Sequence, residues 1–199
     1  MSKKDEQLKE VRDKVWNLTK SPLYTYRKEN NYYPVLGEGN HDADVMFVGE
    51  APGENEAKTG KPFCGAAGRI LDELFASVGA NRQDAYVTNI VKDRPPKNRD
   101  PQPEEIELYA PFLVEQINII QPKVIATLGR FSMQYILTMF DLPEKNQTIS
   151  HLHGKSLEAK TAYGSLLIVP LYHPAVALYS SKTKETLLND FKILIPYLS

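Results

Sequence analysis

Two kinds of apolar pattern alternate along the chain. Short unbroken runs fall at Val45-Met46-Phe47-Val48, Tyr86-Val87-Thr88-Asn89-Ile90-Val91, Val124-Ile125-Ala126-Thr127-Leu128 and Ser165-Leu166-Leu167-Ile168-Val169. Their shortness and their β-branched or aromatic residues predict four buried strands. Between them apolar positions recur every three or four residues, the spacing of one helix face. Leu8, Val11, Val15 and Leu18 predict a helix from Glu6 to about Thr19 with Pro22 as its stop, and a polar, tyrosine-rich connection follows from Tyr24 to Asp44. Ile70, Leu71, Leu74, Phe75 and Val78 predict a second helix closed by Gly79, and Ile106, Tyr109, Ala110, Leu113, Ile117 and Ile120 predict a third. Further helices are expected from Gly129 or Arg130 and from about Thr183 to Tyr197. Strands alternating with helices imply an α/β domain around a mainly parallel sheet. No repeat or low-complexity tract interrupts the pattern, so residues 1–199 are expected to form one domain, with 1–43 packed on its body.

Sheets of this kind bind ligands beyond the carboxyl ends of their strands. Glu50 follows the first run, Asn89 lies in the second and His173 follows the fourth, so a carboxylate, an amide and an imidazole are candidates for one crevice. The turn Gly49-Glu50-Ala51-Pro52-Gly53 uses glycine where backbone N–H groups approach a ligand. It lacks the Gly-x-x-x-x-Gly-Lys-Ser/Thr spacing of a phosphate loop. Taken singly, each residue also has an ordinary structural reading: a Gly/Pro turn, a solvated glutamate, an asparagine cap, a histidine before proline.

Charge and composition narrow the classes without choosing one. The 199 residues carry a formal net charge of -1 and are 42% hydrophobic, the balance of a globular chain rather than of a strongly basic nucleic-acid binder. A local basic patch still holds DNA on such a protein. No apolar run reaches the roughly 18 residues of a membrane span, and Met1-Ser2-Lys3-Lys4-Asp5-Glu6 lacks a secretory apolar stretch. The expectation is a cytoplasmic protein with no membrane partner. Cys64 is the single cysteine, which excludes an internal disulfide and a cysteine-built metal centre.

The loop from Gly49 to Gly53 is followed by Glu56 and by Gly60-Lys61-Pro62-Phe63-Cys64-Gly65-Ala66-Ala67-Gly68. Thr88-Asn89-Ile90-Val91-Lys92, Arg94-Pro95-Pro96, Asn98-Arg99 and Tyr172-His173-Pro174-Ala175 come after them in order. Together they resemble the uracil-DNA glycosylase superfamily, specifically its family 4, over nearly the whole chain. The resemblance implies a three-layer α/β/α sandwich with a central, mainly parallel four-stranded sheet. It implies an enzyme that flips uracil out of DNA and hydrolyses the N-glycosidic bond, giving free uracil and an abasic site at the start of base excision repair.

Residue by residue, Phe63 matches the family's stacking phenylalanine. Asn89 matches its uracil reader, whose amide donates to a carbonyl and accepts from the ring N–H. His173 matches the imidazole set against the uracil oxygen that gains charge, and Glu50 the carboxylate that positions water or stabilises the sugar cation. Gly49 and Ala51 share that loop, Ala51 standing where another branch carries a water-activating aspartate. Glu56 matches a carboxylate near C5 that obstructs the methyl group of thymine, although the family's next aspartate is Ala57 here. Lys92, Arg94, Lys97 and Arg99, with Asn98, form a basic run suited to phosphates. Val176 and Leu178 match the loop that wedges the duplex open.

The largest departure concerns a cofactor. Family 4 members typically hold a four-iron, four-sulfur cluster on four cysteines, and this chain has Leu18, Ser21, Asp93 and Tyr109 at those positions. None is a thiolate, so no cluster, other cofactor or metal is expected. Trp16, Leu18, Tyr24, Tyr26 and Tyr109 are expected to pack in the vacated volume. The expected partner is uracil-containing DNA and the expected state a monomer. Three other readings share the pattern. One is a protein that captures uracil-DNA without turnover, against which stands the absence of histidine from Arg94 to Pro103. Another is a nucleotide-binding α/β protein, which leaves Asn89 and His173 unexplained; the third is an inactive DNA-binding relative.

Overall fold

A computed structural model describes residues 2–198. Among them six strands, β1 (Glu38–Gly39), β2 (Val45–Gly49), β3 (Tyr86–Asn89), β4 (Val124–Leu128), β5 (Leu157–Thr161) and β6 (Gly164–Leu171), form one sheet in the order β1-β3-β2-β4-β6-β5. The inner four run parallel, and β1 and β5 pair antiparallel at the edges. The helices are α1 (Lys3–Trp16), α2 (Pro22–Glu29), α3 (Glu54–Thr59), α4 (Ala66–Ser77), α5 (Pro103–Ile120), α6 (Arg130–Met139), α7 (Ile149–Leu152) and α8 (Ser181–Phe191).

Alternation along β2 explains why every residue in it is apolar or glycine. Val45 and Phe47 pack with Leu71 and Phe75 of α4 and Leu187 and Phe191 of α8, whereas Met46 and Val48 pack with α1, α5 and α6 on the opposite face. Phe47 stacks on Phe191 at 5.6 Å and meets the edge of Phe75 at 5.2 Å. Burying one such side chain contributes about 1.5–3 kcal/mol. The result is helix, sheet and helix in three layers.

The sheet has two strands beyond the four the sequence predicts. β1 has two residues, and β5 is half exposed with Glu158 and Lys160 pointing to solvent, so neither forms an apolar run. The third difference is α2. Pro22 starts this helix instead of ending the previous one: it occupies the first turn, where its missing N–H is no loss, and the Ser21 hydroxyl caps the N–H of Leu23. The last helix is shorter than expected, because α8 ends at Phe191 and a 3-10 segment containing Pro196 follows.

The N-terminal helices are joined to the body by a buried polar junction, not by the aromatic plug expected from the sequence. The Arg27 guanidinium meets both Asp93 oxygens at 3.1 and 3.0 Å and the carbonyl of Trp16 at 2.5 Å. The Tyr109 hydroxyl donates to Asp93 at 2.5 Å and reaches Ser21 Oγ at 2.9 Å. Leu18 and Tyr109 are buried as expected, but Trp16 is 48% exposed and Tyr24 and Tyr26 are only half-buried. The reason is Arg27, whose buried charge requires polar partners and lies over the rings of Tyr24 and Trp16 at 4.9 and 5.8 Å.

Candidate active site

Parallel pairing sets Gly49 opposite Asn89 at the carboxyl ends of β2 and β3. A cleft of about 420 Å³ opens there, lined by Glu50, Ala51, Glu56, Phe63, Asn89 and His173 together with Pro95, Asn98, Arg99 and Ala175. Gly49 lies directly behind it. A Cβ at Gly49 would lie 2.3 Å from Asn89 Oδ1 and 2.8 Å from the Phe63 ring, so glycine is what lets the amide and the ring close on the strand.

Phe63 adopts a left-handed backbone (φ 48°), a conformation that costs a bulky residue on the order of 1 kcal/mol or more. Three neighbours hold it. Arg82 donates to the carbonyls of Pro62 and Phe63 at 2.6 and 2.9 Å, and Glu56 Oε1 accepts the N–H groups of Cys64 and Gly65 at 3.0 and 2.9 Å. At Gly68 a Cβ would fall 1.8 Å from the Phe63 carbonyl, so the first turn of α4 closes on the loop. Glu56 therefore organises this turn as well as lining the cleft.

Asn89 is 2% exposed, yet its side-chain amide has no protein hydrogen-bond partner among the described residues. The amide opens on the cleft, so its donors and acceptor are free to pair with a molecule that enters it. His173, whose ring lies 5.8 Å from that of Phe63, accepts the Ala175 N–H on Nδ1 at 3.2 Å. That bond assigns the ring's proton to Nε2. Burial lowers the pKa of His173 from its ordinary value, opposed by the charge of Glu56, and favours the neutral ring. Glu50 shifts the other way: burial and then the charge of Asp100 push it up to about 7, with Arg130 opposing.

The basic run separates in space. Lys97 and Arg99 are exposed, although the Arg99 guanidinium also holds Glu105 at 2.9 and 2.5 Å. Arg94 is 8% exposed and meets Asn98 Oδ1 at 2.7 Å, the Tyr32 hydroxyl at 2.8 Å and Glu54 at 3.3 Å. With its donors committed in this way, Arg94 is a buttress for the loop and not an open phosphate ligand. Lys92 is wholly buried too. Asn98 is exposed in a left-handed conformation on the cleft rim. On the far rim a 3-10 turn anchored by buried Ala177 turns Val176 and Leu178 outward, followed by Tyr179 at 88% exposure. Tyr179, Arg82 and Arg27 carry no local signal in the sequence, because what each does depends on where the folded chain sets it: Tyr179 outside, Arg27 inside.

Leu18, Ser21, Asp93 and Tyr109 do not fit an iron-sulfur cluster. They offer a methyl-bearing chain, a hydroxyl, a carboxylate and a phenol, the last three already hydrogen-bonded to one another or to Arg27. Cys64 is exposed elsewhere, beside Thr59. Among the described residues no three His, Cys, Asp or Glu side chains converge as a metal site.

Comparison with known proteins identifies the family. Residues 36–193 match the family model of the uracil DNA glycosylase superfamily. The chain is 43% identical over 187 residues to a type-4 uracil-DNA glycosylase of Archaeoglobus fulgidus, covering 94% of this chain and 91% of that protein. Over 194 residues it is 37% identical to a type-4 uracil-DNA glycosylase of Thermotoga maritima, covering 96% and 95% of the two. A type-5 uracil-DNA glycosylase of Thermus thermophilus is more distant, at 29% identity over 133 residues, which cover 59% of this chain and 60% of that protein. The cleft at the strand ends, the order of the loops that line it and these likenesses agree: the chain belongs to the uracil DNA glycosylase superfamily.

Proposed function

We propose that this protein is a uracil-DNA glycosylase that takes uracil out of the DNA stack and hydrolyses the bond between base and sugar, releasing uracil and leaving an abasic site. The observation that carries the reading is the unpaired Asn89 amide facing a cleft that also holds the neutral ring of His173, the carboxylate of Glu50 and the Phe63 ring. An amide offers a donor and an acceptor side by side, as the uracil edge requires. Cytosine presents the reverse pattern at the same edge.

In this mechanism the flipped base stacks on Phe63 and is read by Asn89. The C1′–N1 bond breaks with both electrons staying on the base, and the His173 Nε2–H donates to the uracil oxygen that gains charge. Ionised Glu50 faces the cationic sugar and takes the proton from the water whose oxygen bonds to C1′. A pKa of about 7 suits that exchange near neutral pH. Ala51 has no group to share the work. Gly49 and Glu56 act by shaping the pocket wall, Glu56 toward the C5 side of the base. Lys97, Asn98 and Arg99 meet the DNA backbone, and Val176 or Leu178 fills the space the base leaves.

The reading extends to an enzyme without an iron-sulfur cluster, monomeric and cytoplasmic. The donor set at Leu18, Ser21, Asp93 and Tyr109 supports the first point, since oxygen and carbon replace the thiolates such a cluster uses. No helix among the described residues is long and apolar enough to cross a membrane. The deciding assay incubates the protein with duplexes containing a single uracil or a thymine and measures free base and alkali-labile strand, with iron analysis and a sizing column on the same sample. Release of uracil alone from an iron-free monomer is expected. Intact uracil strands would remove the proposed activity.

A further inference from the structure

Lys92 has no part in the mechanism above, yet it is buried directly against one of its residues. It is 0% exposed, and its Nζ reaches Thr88 Oγ1 at 2.8 Å, the Asn89 carbonyl at 2.6 Å and Gln116 Oε1 at 2.6 Å. All three oxygens are turned to accept. The Thr88 hydroxyl donates to the Leu36 carbonyl at 2.5 Å. The Gln116 amide nitrogen donates to that carbonyl and to the Tyr86 hydroxyl at 2.8 and 3.1 Å, which directs Oε1 at Lys92.

An ammonium group has three hydrogens for these three acceptors. A neutral amine has two, and would set its lone pair against an oxygen. The bonding pattern therefore selects the cation, in opposition to burial, which draws its pKa well below the ordinary lysine value. No nearby charge contributes to that shift, and the adjacent Asp93 is turned away to Arg27 and Tyr109. A buried cation without a counter-ion is costly to keep, and such groups concentrate at functional sites.

We infer that Lys92 is a positioning residue of the glycosylase site: its ammonium group anchors the main chain of Asn89 and sets an unpaired positive charge behind the residue that reads the base. The inference rests on the uracil excision proposed above. When the glycosidic bond breaks, the base departs as an anion, and in poorly screened surroundings the field of a fixed cation stabilises that charge. Neutral uracil in the ground state gains much less, so the effect is on the rate of bond cleavage rather than on binding.

Lys92→Met keeps the length of the side chain and removes the charge. Single-turnover release of uracil is expected to fall about 10²-fold, while affinity for abasic-site DNA stays at the wild-type value. The same variant should lose about tenfold less on 5-fluorouracil, whose fluorine already stabilises the departing anion. Equal losses on the two bases indicate a purely structural lysine and overturn the inference, as does an unchanged rate on uracil. For a variant that does not fold, nitrogen-15 NMR of lysine-labelled wild-type protein near neutral pH decides. A protonated Lys92 signal supports the inference, and a neutral amine overturns it. Wild-type protein that releases no uracil sinks the glycosylase reading and this inference together, whereas an active wild type with an unaffected variant sinks the inference alone.

Discussion

Around Tyr109 the buried polar groups have found one another, whereas in the cleft the Asn89 amide has no protein partner and Glu50 lies beside the like charge of Asp100. The two regions are less than ten residues apart along the chain at Asn89 and Asp93, and both exclude much of the solvent. The junction uses its polarity to join α1, α2 and α5, so its worth is measured in stability. The cleft leaves its polarity unpaired, so under the proposed function its worth is measured in rate. A substitution that moves both quantities together would blur that distinction; the following are expected to move one.

The largest effect is expected from Asn89→Asp, which replaces a donor with an acceptor at the reading edge. Uracil excision should fall about 10⁴-fold, with residual activity shifting toward cytosine, whose amino group a carboxylate accepts. Single-turnover assays on the two bases measure it, and retained uracil activity would remove Asn89 from base recognition. Next comes Asp93→Ala, which leaves Arg27 buried without its partner and should cost about 3–5 kcal/mol of unfolding free energy. Denaturant titration should show that loss while the excision rate per folded molecule is unchanged.

His173→Ala should slow bond cleavage by about 10²-fold with little effect on DNA affinity. Equal single-turnover rates in the two proteins would end its charge-stabilising role. The smallest effect is on stability, that of Glu50→Gln, and it depends on pH. Because the folded-state pKa of Glu50 is raised to about 7 from an ordinary value of 4.5, its ionisation costs folding energy that appears as pH rises through that window. The variant should therefore melt higher than wild type at pH 8 and equally at pH 4, in parallel thermal scans. Wild-type excision should rise with pH through about 7 as Glu50 ionises, and the Gln variant should lose that limb.

Much of this plan was legible in the chain, for reasons that also mark where legibility stops. The inner strands are buried on both faces, so Val45–Val48 and Val124–Leu128 stand out as unbroken apolar runs. Edge strands need only one dry face, and β5 hides behind Glu158 and Lys160. Glu50, Asn89 and His173 were readable because parallel strands deliver their exits to one edge of the sheet. The fate of Arg94 was not, since Tyr32 and Glu54 reach it from 62 and 40 residues away. The same holds for Arg27, whose partner Asp93 is 66 residues distant. Neither the left-handed backbone of Phe63 nor the protonated nitrogen of His173 has any signal in composition, because both are set by neighbours that only the folded chain supplies.

The clamp on the Phe63 turn has a consequence for which lesions are mended first. With Arg82, Glu56 and Gly68 closing on that turn from three directions, the slot has little freedom to reshape itself around a base still in its pair. The work of opening the helix then falls on the duplex, and weak pairs surrender their base more readily than strong ones. Uracil opposite guanine, the mark of a deaminated cytosine, should leave ahead of uracil opposite adenine, so a rigid aromatic turn would send repair first to the sites where a mutation is about to be written.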